Sequence, residues 1–460
     1  MTSTEPNGWL SRVERPRGPL YAAILQALET AIRTGELQPG DRLPPQRRVA
    51  EILGVDITTV TRAYSVATEK GLIKGAVGRG TFVGARAVDD DPGRIDLSMN
   101  LPPPPAGLSL AAMLRETTSD ILQRSDTARL MSYHPGVGSW GQRTAATAWL
   151  APVLGDVEPE RVMVTSGAQT VLAAVLNAIG PPGTKIVVEP LTYPGLKQVA
   201  ARLGVELLAC PADEEGLLPD ELERICCEQG AAAVYIVPTM QNPTAITTTE
   251  GRRADIAKVA QAQDLWIIED DPYSRLLPTP LPALASLAPH KTFYVATLSK
   301  CLSPGLRIAY LVCPPGEVAA TVANNLRALS LMPSPLMAAV VTSWIREGSA
   351  EQLLSAVRQE ACARRKIARQ VLPQATAASE NSIHVWLDLP PAWPAESLRE
   401  AAQARSLSIV PTEAFAVGHE HRNGVRISLG GPETTQVLGA ALQSLAELIG
   451  QTPGPRGVVV

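Results

Sequence analysis

The sequence predicts a multidomain α/β chain: a small three-helix module closed by a two-stranded ribbon, then a large body with a mostly parallel central sheet and a smaller α+β C-terminal part. Three observations predict it. A chain of 460 residues is longer than one ordinary core serves. Residues 10–84 carry apolar residues at helical spacing, interrupted by Gly and Pro, whereas after residue 95 short β-rich runs alternate with helix-length segments. Between them lies "ARAVDDDPGRIDLSMNLPPPPAG", residues 85–107, acidic and then proline-rich, as a boundary would be. The expected limits are 10–84 for the small module, 85–95 for the linker and 96–450 for the body, with "QTPGPRGVVV" as a loose tail.

Composition narrows the class. Apolar residues make up 45% and charged residues 19%, and no long uncharged apolar run occurs, so a globular, cytoplasmic protein without a membrane partner is expected. "MTSTEPNGWLSRVERPRG" has no apolar signal-peptide core. The six cysteines (Cys210, Cys226, Cys227, Cys301, Cys313 and Cys362) form no C-x-x-C, so reduced thiols are expected, and no His/Cys cluster has metal spacing. Between Leu10 and Gly84 eleven basic residues outnumber seven acids, a local excess of +4 on a chain of net charge −4. A basic module on an acidic body suits nucleic-acid contact.

The elements of the module follow in order. "PLYAAILQALETAIRT" places Leu20, Ile24, Ala27, Leu28, Ala31 and Ile32 on one helical face, and "GELQPGDRLP" ends it. "PQRRVAEILG" is a short second helix with Val49, Ala50 and Leu53 inward, stopped by Gly54. Asp56 is placed to cap a third helix, "TTVTRAYSVATEKG", by accepting a backbone N–H. With Val60, Ala63, Tyr64 and Ala67 inward, Thr58, Thr59, Thr61 and Arg62 stay near its exposed first turn, where a recognition helix carries polar groups to base edges. "GLIKGAVGRGTFV" reads as two strands around a glycine turn, a wing bearing Lys74 and Arg79 toward phosphates. A helical dimerisation arm with solvated arginines is the alternative. This order, with "GDRLPPQRRVAEILGV" and "GRGTFV", resembles the winged helix-turn-helix of the GntR family, which implies a double-stranded DNA operator as partner. Arg47 matches that family's arginine on the second helix. Asp56-Ile57 stands where the family usually has Ser-Arg, so one contact to DNA is missing.

In the body, "RVMVTSG", "KIVVEP", "VELLAC", "AAVYIVP", "LWIIEDDPY", "TFYVATLSK" and "IAYLVCP" are the strand candidates, and polar motifs sit at their ends, where open α/β sheets bind ligands. Ser166-Gly167-Ala168-Gln169 would present backbone N–H groups at a helix start, suited to an anion. Tyr193 follows one strand, Asn242 another, and Glu269, Asp270, Asp271 and Tyr273 a third; "ATLSKCLSPGLRIAY" then sets Lys300 among hydroxyls, with Arg307 seven residues on. A lysine amine can join an aldehyde, a carboxylate can keep a ring nitrogen protonated, Tyr and Asn can bond a phenolate oxygen, and hydroxyls with arginine can hold a phosphate. One cofactor asks for all of these: pyridoxal 5′-phosphate.

From "DLSMNLPPPP" to "GVRISLG" the body resembles the fold-type I, class I/II aminotransferases. By that resemblance Lys300 is the catalytic Schiff-base lysine, Asp270 the partner of the pyridine nitrogen, Asn242 and Tyr273 the ligands of the ring oxygen, and Tyr193 the stacking aromatic. Gly167, Ala168, Gln169, Thr297, Ser299 and Arg307 become the phosphate cup, and Arg426 the clamp for an effector carboxylate. Tyr133 resembles the tyrosine that reaches a partner subunit's phosphate. The sequence departs from the family at Ala245, where glycine is usual, at Thr297 for serine and at Gly141 for leucine.

The two resemblances together are those of the MocR/GabR-type bacterial transcription regulators. They imply a PLP-dependent regulator that senses an amino acid, an amine or PLP, and a head-to-tail homodimer. Two alternatives stay open: an active aminotransferase carrying an appended winged helix, and a sensor of PLP with no amino-acid effector.

Overall fold

The computed structural model describes residues 8–13, 19–34, 36–37, 40–70, 72–76, 80–84, 94–134, 136–418 and 422–451. Arg79 lies outside the described residues, as do the expected linker apart from residues 94 and 95, and the expected tail. The chain divides into two compact units, Met1–Pro92 and Gly93–Val460.

In the first unit α1 (Leu20–Arg33), α2 (Gln46–Leu53) and α3 (Ile57–Glu69) precede an antiparallel pair, β1 (Ile73–Ala76) and β2 (Gly80–Val83). The helices are set by local signals. Gly54 turns the chain out of α2 in the left-handed region at φ +61°, which costs glycine little. The Asp56 carboxylate then accepts from the Thr58 backbone N–H at 2.8 Å and starts α3. Ile24, Leu28, Val49, Val60, Ala63 and Tyr64 form the core. Trp9 and Leu10 join it from a short 3-10 turn, Gly8–Arg12, ahead of the first periodic helix.

The second unit begins at β3 (Ile95–Asp96). In chain order follow β4 (Val162–Thr165), β5 (Lys185–Val188), β6 (Glu206–Ala209), the small hairpin β7 (Ala212–Asp213) and β8 (Gly216–Leu217), β9 (Ala233–Ile236), β10 (Trp266–Asp270), β11 (Thr292–Thr297) and β12 (Ala309–Val312). Seven of these make the central sheet, in the order β4-β12-β11-β10-β9-β5-β6. All its neighbours run parallel except β12, which is antiparallel to both β11 and β4. The turn from β11 to β12 is too short for a crossover, so the chain must return antiparallel. That turn carries Lys300.

The remaining strands, β13 (His384–Asp388), β14 (Leu407–Ser408), β15 (Val410–Pro411) and β16 (Gly424–Ser428), build the C-terminal subdomain. Its antiparallel sheet, β13-β16-β15, has a separate core in which Val385, Val425 and Ile427 meet Leu398, Leu438 and Leu442 from the helices Ala395–Ala404 and Thr435–Ile449. β3 pairs in parallel with β14, and the Leu97 carbonyl accepts from Ser428 N–H at 2.8 Å. The stretch entering the body is thus stitched to the C-terminal subdomain rather than to the central sheet.

Candidate cofactor site and nucleic-acid interface

A cavity of about 470 Å³ opens at the strand ends of the central sheet. Lys300, Asp270, Tyr273, Asn242, Tyr193, Ala168, Gln169, Thr297, Ser299, Arg307 and Arg426 line it. Gly167 sits beside it: a Cβ there would stand 2.9 Å from an Arg307 guanidinium nitrogen. Tyr133 is elsewhere, 77% exposed, on a second cavity of about 450 Å³ shared with His134, Gln142 and Met332.

Strand alternation sorts the three acids of "EDDPY". Glu269 accepts the backbone N–H groups of Leu284 and Ala285 at 3.0 and 2.8 Å, and Asp271 accepts from the Tyr294 hydroxyl at 2.6 Å and from Ser274 N–H at 2.8 Å. Only Asp270 reaches the cavity. One of its oxygens accepts from the Tyr235 hydroxyl at 2.7 Å; the other, Oδ1, is buried with no protein partner. Burial lifts its carboxyl to about 6, against the pull of Tyr235. An orphaned buried carboxylate oxygen asks for a donor from a ligand.

Lys300 Nζ donates to the Asn100 carbonyl at 2.6 Å. Burial, and then the neighbouring Arg426 charge, bring its amine down to about 8, with Asp270 opposing. At pH 7 about a tenth of such amines are unprotonated, against well under a thousandth at the ordinary lysine value. Arg426 lies over the Phe415 ring at 5.2 Å, donates to Asn242 Oδ1 at 2.7 Å and donates to the Ser98 carbonyl, while its Nε is buried without a partner. Burial pulls its guanidinium down to about 10. Thr297 and Ser299 join their hydroxyls at 3.0 Å, and Arg307, left-handed at φ +51°, donates to the Ser166 carbonyl at 3.4 Å across the start of the helix Ala168–Ile179. The anion-facing groups come from two separate turns, the one before the helix Ala168–Ile179 and the one from β11 to β12. Ala245, at φ +57°, holds a conformation that glycine takes more cheaply, which is the physical content of that departure.

Sequence reasoning missed Tyr235, Asn100, His384, Ser98 and Phe415. "DLSMNLPPPP" carries the start of the resemblance, but nothing in it marks Asn100 as the residue whose amide nitrogen sits 2.8 Å from the Tyr273 hydroxyl and 3.1 Å from His384 Nδ1.

On the first unit Arg47, Thr58, Thr61, Arg62 and Lys74 are exposed and Thr59 is half-buried. The Thr58 hydroxyl donates to Asp56 Oδ1 at 2.6 Å, and the Thr61 hydroxyl lies 2.7 Å from Gln46 Oε1 and 2.9 Å from the Ile57 carbonyl. The guanidinium of Arg62 lies 4.4 Å over the Tyr21 ring. Gln46, bridging α2 to α3, is a polar group on this face that the sequence reading did not single out.

Residues 92–443 match the family described as Aminotransferase class I and II, and residues 20–83 match bacterial regulatory proteins of the gntR family. The uncharacterized HTH-type transcriptional regulator YdeF of Bacillus subtilis is 30% identical over 96% of this chain and 97% of its own. The pyridoxine biosynthesis regulator PdxR of Corynebacterium glutamicum is 29% identical over 76% and 78%. Among solved structures, kynurenine aminotransferase from Pyrococcus horikoshii superposes with a TM-score of 0.71 at 25% identity, over 78% of this chain and 91% of that one. The chain belongs to the MocR/GabR-type transcription regulators. Like the enzymes whose fold it shares, this regulator has a body suited to pyridoxal 5′-phosphate, and the residues present fit the group: a lone carboxylate oxygen for a ring nitrogen, a partly neutral amine for an aldehyde, and a helix start with hydroxyls and arginine for a phosphate. Among the described residues, none group to hold a metal ion, and no helix is long and apolar enough to cross a membrane.

Proposed function

We propose that this regulator reads an amino acid or amine through the body cavity and reports it along the stretch that leads to the DNA-binding unit. One observation carries the reading. Lys300, the amine that would hold the cofactor, and Arg426, the clamp proposed for an effector carboxylate, both donate to backbone carbonyls of one stretch, Asn100 and Ser98. Residues 98–101 lie just inside the second unit, after the expected linker. An aldehyde cofactor would supply covalent capture at Lys300; in this reading Asp270 would hold its ring nitrogen, Asn242 and Tyr273 its ring oxygen, Tyr193 its face, and Gly167, Ala168, Gln169, Thr297, Ser299 and Arg307 its phosphate.

When Lys300 is taken up by the cofactor and Arg426 by an effector carboxylate, residues 98–100 lose both bonds and can rearrange, while β3 and Leu97, which precede them, stay paired with the C-terminal subdomain. A ligand acts this way only through different affinity for the two arrangements. Arg47, Thr58, Thr59, Thr61, Arg62 and Lys74 make up the proposed DNA face, and Arg79, outside the described residues, is the remaining candidate from the sequence. A second copy of the chain is the proposed partner: Met131, Tyr133, Trp140, Leu329 and Leu331 are exposed apolar groups that a head-to-tail homodimer would cover. A cytoplasmic location goes with that role.

Fluorescence anisotropy on the DNA upstream of the gene, at fixed salt, tests the reading, because such affinity depends steeply on salt. Sequence-specific binding that changes with PLP or with added amino acids is expected. Binding without sequence preference, together with multiple turnovers of a keto acid, would favour the active aminotransferase, a reading supported by the partly neutral Lys300. A response to PLP that survives Arg426→Ala would favour a sensor of PLP alone.

A further inference from the structure

We infer that His384 is a positioning residue that sets the direction of the hydrogen bond Tyr273 makes into the cavity. The inference rests on the cofactor reading and concerns a residue that touches no ligand. His384 stands at the start of β13, fully buried, its ring 5.5 Å from that of Tyr273. Its Nε2 is 3.0 Å from the Gln241 carbonyl, and its Nδ1 is 3.1 Å from the amide nitrogen of Asn100.

The polarity of the chain follows from the carbonyl. An oxygen of that kind only accepts, so Nε2 carries the proton. Burial, then the Arg426 charge, hold the imidazole at about 3, so it is neutral and Nδ1 presents a lone pair. That lone pair accepts one N–H of Asn100, which fixes the amide with its nitrogen toward Tyr273. The second N–H, 2.8 Å from the Tyr273 hydroxyl, makes the phenol oxygen an acceptor there. The tyrosine's own proton must then point elsewhere, toward the cavity that Asn242 and Lys300 also line. Asn100 Oδ1 is buried without a partner, so no other bond holds the amide this way round. Without His384 the amide can turn over, offer Oδ1 to Tyr273 and capture the proton meant for the cofactor's ring oxygen. The charged and titratable groups facing the network are Arg426 and Lys300, near His384, and Arg426, Asp270 and Tyr193, near Tyr273.

A donor to the ring oxygen lowers the proton affinity of the oxygen and imine nitrogen that share a proton in the lysine-linked cofactor. Its loss therefore raises the pH midpoint of the protonated cofactor's visible absorbance. His384→Leu should raise the midpoint of the PLP-loaded full chain by about half to one pH unit. His384→Asn, which keeps an acceptor for Asn100, should stay near the unsubstituted value. In a Tyr273→Phe background, His384→Leu should add nothing. Should the leucine variant not fold, His384→Phe, which keeps a ring and offers no acceptor to Asn100, should give the same rise, whereas Asn100→Ala, which leaves no amide oxygen to capture the proton, should not. A midpoint unchanged in both His384→Leu and His384→Phe, or a shift that adds fully to that of Tyr273→Phe, would overturn the assignment. Loss of the band from the unsubstituted protein would overturn the cofactor reading, and this inference with it.

Discussion

The two units hold polar groups in opposite ways. On the proposed DNA face of the winged-helix unit they are exposed and satisfied by near neighbours: Thr58 by Asp56, Arg48 by Glu51, Thr61 by Ile57 and Gln46. In the body cavity they are buried and satisfied from far along the chain, and several atoms are left open, such as Asp270 Oδ1 and Arg426 Nε. A surface of the first kind gives up little on meeting water or phosphate, and binds through charge. A site of the second kind has desolvated its groups in advance and gains most from the ligand that completes it.

This contrast can be broken in order of expected effect. Asp270→Asn removes the partner of the proposed pyridinium and should cost about 2–5 kcal/mol of cofactor affinity by equilibrium dialysis; a change of less than threefold would mean that the orphaned oxygen has no ligand to complete. Arg47→Ala should weaken DNA binding almost equally on all sequences and lower the slope of log affinity against log salt by about one. A selective loss on one operator would instead make Arg47 a reader of bases.

A pH series sharpens the picture of the buried carboxyls. Burial raises Glu189 to about 8, so between the ordinary glutamate range and that value the folded chain keeps a proton the unfolded chain has lost, and stability falls as pH rises. His384, pushed down by burial, gives the opposite slope only up to its unfolded value near 6.5. From about pH 6.5 to 8, Glu189, joined up to about 7 by Glu269, leaves a falling melting temperature in the cofactor-free protein. Glu189→Gln should flatten that fall; an unchanged slope would place the proton elsewhere. The smallest effect is expected at Ala245: Ala245→Gly relieves a left-handed alanine and should stabilise the body by up to about 1 kcal/mol in denaturant unfolding.

The body's architecture was legible because its strands are short apolar runs with polar residues at their ends, and the seven such runs are the strands of the central sheet. The groups proposed to touch the cofactor were named through motifs that resemble a known family, and local pairs such as Asp270 with Tyr273 and Lys300 with Arg307 made those motifs recognisable. Residues acting on those groups were not. Tyr235 lies 35 positions from Asp270, and Asn100 lies 173 from Tyr273 and 284 from His384, so no local pattern joins them. Trp9 escaped for a related reason: one 3-10 turn has no period to detect.

The body's polar residues are gathered from Ser98 to Arg426, whereas the described DNA-binding fold is complete by residue 84. During synthesis at about 5–20 residues per second, some tens of seconds pass between the end of the reader and the last wall of the sensor. A newly made chain is therefore able to fold its winged helix before any small molecule can be consulted.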